Sequence, residues 1–277
     1  MSAIGTAFQA GDLQGALAAA NAAVKAQPRD VGARWLLAEM LAFNGEVERA
    51  DRILDAIISD EPTPAVLEFR RLLRAAEARR RVFAEGGVPK LQGDDATPAQ
   101  TAILRALVEL RAGNAAAAAA AATEAETLRP RTPGEHAPPE AAGKPRLAFD
   151  DLRDADDLFS PFFEVLTAGG EYLWVPVERI RGLVFDAPRR PRDLLWRRAT
   201  IDMKDGQEGV VFVPAVYPWS DPATPDALRL GRTTDWQESG GGNGGGGGGP
   251  VRGLGQRVLL AGEEALPLNE AGTLGFA

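Results

Sequence analysis

The densest grouping of chemically capable side chains is acidic: Asp154, Asp156 and Asp157 fall within one short segment. Paired carboxylates can hold Mg²⁺ or divide the acid and base roles of a hydrolytic reaction. With Arg192 as an anion clamp they would make a metal-dependent hydrolase or phosphatase. A structural reading competes with that one and is preferred. On a helix, positions 154 and 157 share a face while 156 points elsewhere. Acidic residues just ahead of a helix also stabilise its positive end. A second grouping is cationic and aromatic. Arg192 with Asp193, and Arg232 with Asp235, read as ion pairs that hold loops beside tryptophans. Guanidinium planes stack on indole faces, so Arg192, Trp196, Arg232 and Trp236 are expected in one cation–π cluster. The same residue types are enriched where proteins bind proteins. Trp174 and Tyr217, each beside a proline in a strand-like segment, carry both readings too. The candidate partner-binding residues are therefore Trp174, Tyr217, Arg192, Trp196, Arg232, Asp235, Trp236, Asp154 and Asp157. No residue is assigned a catalytic, cofactor-binding or metal-binding role, and no cofactor is expected.

The remaining chemistry is restricted by composition. The 277 residues include no cysteine, which removes disulfides, thiolate metal sites and a cysteine nucleophile. The one histidine, His136, lies among Pro, Gly and Glu, a poor setting for a zinc site or a Ser-His-Asp triad. Net charge is −8, so the surface has no general attraction for nucleic acid or an anionic membrane. The arginine runs 79–81 and 189–192 sit among acidic residues and read as solvated faces or structural pairs. No basic stretch followed by an apolar core opens the chain, and the alanine tract 115–122 is too short to span a bilayer. A cytoplasmic protein is expected.

The elements that must position these groups divide the chain in two. Residues 1–130 are rich in Ala, Leu, Arg and Glu, which favours packed helices. Two stretches align at an offset of 34, matching Gly11 to Gly45, Leu13 to Val47, Ala16 to Ala50, Val24 to Ile58 and Pro28 to Pro62. A third keeps the frame with Gly113, Ala118 and Pro130, so that Gly and Pro stand 17 residues apart each time. This is the signature of a tetratricopeptide-like helical hairpin. The Gly ends the first helix in a left-handed turn, the Ala allows close approach, and the Pro closes the second helix. Trp35 falls on the apolar stripe of a first helix and reads as core. The middle unit is degenerate, with Arg79 where a glycine belongs, inside a helical run 65–85 that ends at Gly86-Gly87; 89–98 reads as a loop, and about six helices are expected. Such repeats present a groove to a partner peptide or helix.

Residues 131–146 are Pro-rich and read as an extended linker. Residues 147–277 hold four of the five tryptophans and read as a smaller α+β domain. A helix is expected from Ser160-Pro161 to Ala168. Strands are expected at 172–175, 183–185, 194–201, 210–213 and 257–260. The glycine tract 239–249 lacks the Lys and Ser/Thr of a phosphate loop and reads as a disordered insertion.

Within this half the chain reads, in order, Asp154-Ala-Asp-Asp157, Glu164-Val-Leu166, Gly170-Glu-Tyr-Leu-Trp-Val-Pro176, Pro191-Arg-Asp-Leu-Leu-Trp196, Pro214-Ala-Val-Tyr217 and Leu230-Gly-Arg-Thr-Thr-Asp-Trp236. The ordered series resembles the ImpE family, also called TagJ or SciE-type proteins. Leu37 to Leu41, Gly45-Glu46 and Arg49-Ala50-Asp51 resemble its helical part. Val47 departs from the aromatic residue expected there, and the polyglycine tract is unusual. The resemblance implies a non-enzymatic adaptor of a type VI secretion system. Its implied partner is the N-terminal helix of the small sheath subunit TssB, with the ClpV ATPase reached indirectly. A groove for such a helix is expected to be apolar with an acidic rim.

Overall fold

The structure is a computed structural model that describes residues 2–60, 62–239 and 248–277. Seven helices come first: α1 (Ala3–Ala10), α2 (Leu13–Ala26), α3 (Val31–Phe43), α4 (Val47–Asp60), α5 (Pro64–Glu85), α6 (Pro98–Arg111) and α7 (Ala115–Leu128). Their boundaries follow local chemistry. Asp12 and Asp30 cap α2 and α3 by accepting from the amides of Gly15 and Ala33, and Thr97 with Gln100 forms a capping box on α6. The repeat frame holds at its diagnostic points. Gly11, Gly45 and Gly113 have φ of 83°, 78° and 80°, a left-handed turn that side chains resist. The alanines five residues later, Ala16, Ala50 and Ala118, are completely buried where paired helices meet. The degenerate middle unit is the single 22-residue helix α5, which leaves seven helices here instead of six.

The rest is mostly sheet. The strands are β1 (Lys90–Leu91), β2 (Gly134–Ala137), β3 (Leu147–Phe149), β4 (Leu152–Asp154), β5 (Phe162–Thr167), β6 (Tyr172–Pro176), β7 (Ile180–Phe185), β8 (Trp196–Met203), β9 (Glu208–Pro214), β10 (Thr234–Glu238), β11 (Val251–Gly255), β12 (Val258–Ala261), β13 (Glu264–Pro267) and β14 (Thr273–Phe276). A one-turn helix, α8 (Asp226–Arg229), precedes β10. Nine strands form one sheet in the order β1-β6-β5-β9-β8-β7-β14-β2-β3, antiparallel except for β1 with β6. A smaller sheet, β13-β12-β4, covers part of it, and β10 with β11 makes a separate hairpin. The fold is thus mixed α+β with a tetratricopeptide-like helical part.

The centre of the large sheet is buried on both faces, and alternation along β5, β6 and β9 divides their apolar residues between two cores. Phe162, Leu166, Trp174 and Phe212 pack on the helices, continuous with Phe43, Phe69 and Leu72. Phe163, Val165, Val175 and Val211 pack on the small sheet with Leu152, Leu259 and Leu266.

Three sequence expectations differ from what is seen. The segment expected to be helical from Ser160 to Ala168 is strand β5, because its apolar run is buried on both sides and such runs carry no helical period. The Pro-rich stretch 131–146, expected as a linker, contributes β2, which pairs with β14 and β3. His136 sits there buried, its Nε2 accepting a 3.3 Å hydrogen bond from the amide of Gly272. The prolines flank β2 instead of interrupting it, which leaves its own amides free to pair. The expected loop after α5 contains β1. The glycine tract lies largely outside the described residues, between strands that pair Glu238 with Val251.

Candidate functional site

The acidic cluster sits where β4 leaves the small sheet. Asp154 is bound to the Arg257 guanidinium through Oδ2, and its Oδ1 accepts from the Tyr217 hydroxyl at 2.7 Å and the Asp156 amide at 2.8 Å. Asp156 pairs with Arg252 at 2.9 Å and accepts from the amides of Leu158 and Gly253. Asp157 accepts from the Val251 amide at 2.7 Å. These bonds tie β4 to β11 and β12. Among the described residues, no group of three or more His, Cys, Asp and Glu could hold a metal ion. Burial pushes the Asp154 and Asp157 carboxyls up; Arg257 opposes it at Asp154 and the Val251 hydrogen bond at Asp157.

Behind Asp154 runs a buried chain of charge that the sequence reading missed. Glu164 lies on the helix-facing side of β5 and is fully buried. Arg79 of α5 grips it through two bonds of 2.7 and 2.8 Å, and Arg257 adds a third of 2.8 Å. Tyr172 donates to it at 2.6 Å and receives a bond from the Trp174 indole. Burial raises the Glu164 carboxyl, but Arg79 and then Arg257 outweigh it and hold it below the usual range. The signal available in the sequence was a glutamate inside the apolar run 162–166 and an arginine where the repeat wanted glycine. Both depart from the local pattern, and each is the other's partner.

The expected cation–π cluster is not one cluster. Arg192, on the 3₁₀ turn Pro191–Leu194, lies 5.1 Å from the Trp35 ring and 4.7 Å from that of Phe69, and pairs with Glu68. Arg190 also stacks on Trp35. Arg232 instead holds the C-terminal carbonyls of α1, those of Phe8 and Gln9. Asp193 accepts from the amides of Arg189 and Arg190, and Asp235 from that of Trp236, so neither forms the expected ion pair. Trp174, Tyr217, Trp196, Arg192 and Asp154 are interior, beyond a partner's reach except where Trp196 and Tyr217 line a cleft. Arg232, Asp235 and Trp236 are exposed, and Trp236 packs edge-on to Tyr217.

The inner side of the repeats, α3 and α5, is covered by the chain's own 3₁₀ turn, β5 and β6. Two concavities stand out among the described residues. One, of about 880 Å³, opens between the α3–α4 turn, α5 and the segment after β9, with Trp196, Tyr217, Pro218 and Trp219 in its walls. The other, of about 610 Å³, lies between α4 and α5, where Val47, Leu73, Val82 and Val88 are rimmed by charges of both signs.

Residues 147–275 match the family model for the ImpE protein, and residues 7–73 match that for the tetratricopeptide repeat. The chain is also 32% identical, across 94% of its length and 86% of the relative's, to the type VI secretion system accessory component TagJ of Pseudomonas aeruginosa. The chain belongs to the ImpE/TagJ family. The crystal structure of protein VPA1032 from Vibrio parahaemolyticus is similar throughout, with a TM-score of 0.84 at 27% identity, covering 99% of this chain and 97% of that one. The ImpE match runs from β3 into β14 and includes Asp154, Glu164 and Arg257, whereas Arg79 falls outside both matched ranges.

In this ImpE/TagJ chain the seam between helices and sheet also holds a titratable group. Glu39 of α3 is fully buried; its Oε1 accepts from the Trp35 indole at 2.9 Å and its Oε2 has no partner. It faces Arg192 and Asp193 of the 3₁₀ turn and Arg190 just before it, with Glu68 of α5 across Arg192. Burial pushes its carboxyl from 4.5 to about 7, against the indole hydrogen bond and the two arginines. Between those values the folded chain holds a proton the unfolded chain has lost. Stability from this group therefore falls as pH rises from about 4.5 to 7. Glu39→Gln is expected to abolish that slope. The difference in unfolding free energy between variant and wild type should change by about 3 kcal/mol between acid and alkaline ends of the window. Urea titrations at both ends check it, and parallel pH profiles would refute it.

Proposed function

We propose that this chain is a non-enzymatic accessory protein of a type VI secretion system. It binds the N-terminal helix of the small sheath subunit TssB and modulates sheath assembly or recycling. The observation that carries the reading is the similarity to the TagJ accessory component, which extends over 94% of the chain. The site chemistry supports it as well. The acidic cluster is engaged by Arg252, Arg257 and backbone amides, and so is arranged as a structural tie. In this reading the protein works in the cytoplasm beside the sheath, and its effect on the ClpV ATPase is indirect. No helix among the described residues is long and apolar enough to cross a membrane.

Calorimetric titration of a synthetic TssB N-terminal helix into the full chain tests the proposal. Saturable binding is expected for the helix and none for a scrambled peptide of the same composition. No saturation up to about 1 mM, equivalent to only about 4 kcal/mol of affinity, would end this reading.

A further inference from the structure

We infer that the 880 Å³ cleft is the docking surface, and that the segment seated there presents a carboxylate to Arg229. This rests on the proposed binding of a sheath-subunit helix and adds where it docks and by what chemistry. The key observation is the state of Arg229. The residue is only 7% exposed and lines the cleft, yet its Nε is buried without a hydrogen-bond partner. Among the described residues no carboxylate lies within ion-pair distance of it. Its other contacts are neutral: Nη1 donates to Asn44 at 2.9 Å, Nη2 to the Pro222 carbonyl, and the guanidinium stacks 4.5 Å from the Trp219 ring. A buried cation without a counter-charge is costly, and a carboxylate matches the guanidinium edge with charge-assisted hydrogen bonds.

The surrounding electrostatics point the same way. The chain as a whole carries −8, yet the cleft walls show Arg79, Arg80 and Arg229 against one acid, Asp226. That acid is already committed to the start of α2, where it accepts from the amides of Leu13 and Gln14 at 2.9 and 3.3 Å. Arg79 and Arg80 have intramolecular carboxylate partners, which leaves Arg229 as the open charge. In this inference the cleft offers a cation to the occupant, where an acidic rim was expected for the partner groove. A free anion would leave the cleft's apolar walls wet, including Trp219 and the exposed Pro222 and Ala223. An apolar helix face bearing one acidic side chain covers them and satisfies Arg229 together. The walls come from both the helices and the segment after β9, so an occupant bridges the two layers.

The test uses the full chain and the TssB helix peptide, with each acidic residue of the peptide replaced in turn by its amide. Arg229→Gln is expected to weaken binding about tenfold or more. One peptide acid should behave as its partner: replacing it costs a similar factor in wild type and nothing further in R229Q. Ala223→Trp, which fills the cleft from an exposed position, should abolish binding with the melting temperature unchanged, and it decides the matter if R229Q folds poorly. Wild-type affinity in both variants would overturn the cleft while leaving the adaptor reading intact. Loss in A223W with no coupled peptide acid would overturn the carboxylate assignment. A peptide that fails to bind wild type would end the adaptor reading and this inference with it.

Discussion

Arg257→Met should unfold at much lower urea than wild type, a loss of about 3–5 kcal/mol. Arg257 is completely buried and is shared by two buried carboxylates, Asp154 and Glu164. Methionine matches much of the arginine stem, so packing against Phe159, 4.8 Å from the guanidinium, is largely kept. What is lost is the counter-charge. Asp154 then has no cation of its own, while Glu164 retains Arg79. The cost is therefore concentrated on Asp154, and Arg257→Met with Asp154→Asn should recover part of the loss. A single variant within about 1 kcal/mol of wild type would mean that water or rearrangement neutralises this core, against the geometry.

Trp174→Ala is the second large effect, about 3–5 kcal/mol by the same measurement. The indole is fully buried and stacks on Phe162 with centroids 4.0 Å apart and planes inclined 14°. Its Nε1 donates at 2.6 Å to Tyr172, which in turn holds Glu164, so truncation opens a cavity and loosens the charge chain at once. Trp174→Phe separates the two contributions. It keeps an aromatic ring against Phe162 but removes the donor, and is expected to cost about 1 kcal/mol plus a smaller packing loss. Equal damage from both variants would show that the hydrogen-bond chain, and not the packing, dominates.

Both residues act through contacts that a local sequence pattern does not show, and the reason is physical. The helical repeats were legible because Gly11, Gly45 and Gly113 each answer a local requirement, a left-handed turn, and Ala16, Ala50 and Ala118 answer a contact with the adjacent helix. Strands β6 through β9 were legible from β-branched and aromatic runs between turn residues. Strand β5 was not, since burial on two faces erases alternation and leaves a run that suits either helix or strand. Strand β2 was hidden among prolines because its pairing partner, β14, lies at the far end of the chain. The same holds for side chains. Trp174, Trp196, Tyr217 and Arg192 have residue types suited to a partner surface, and only burial between helices and sheet makes them interior.

What the sequence determined by itself was therefore what is encoded over a few turns: the hairpin repeats, strands β6 to β9 and β12, the lack of cysteine chemistry and, through an ordered series of short motifs, the ImpE/TagJ resemblance. What only the tertiary structure decided was which charges meet. Arg79 and Glu164 are 85 residues apart, and Asp154 and Arg257 are 103 apart. No local pattern can pair groups at such separations, because the pairing is set by how the helices lie on the sheet. The same packing leaves Arg229 buried beside an open cleft with its charge unanswered.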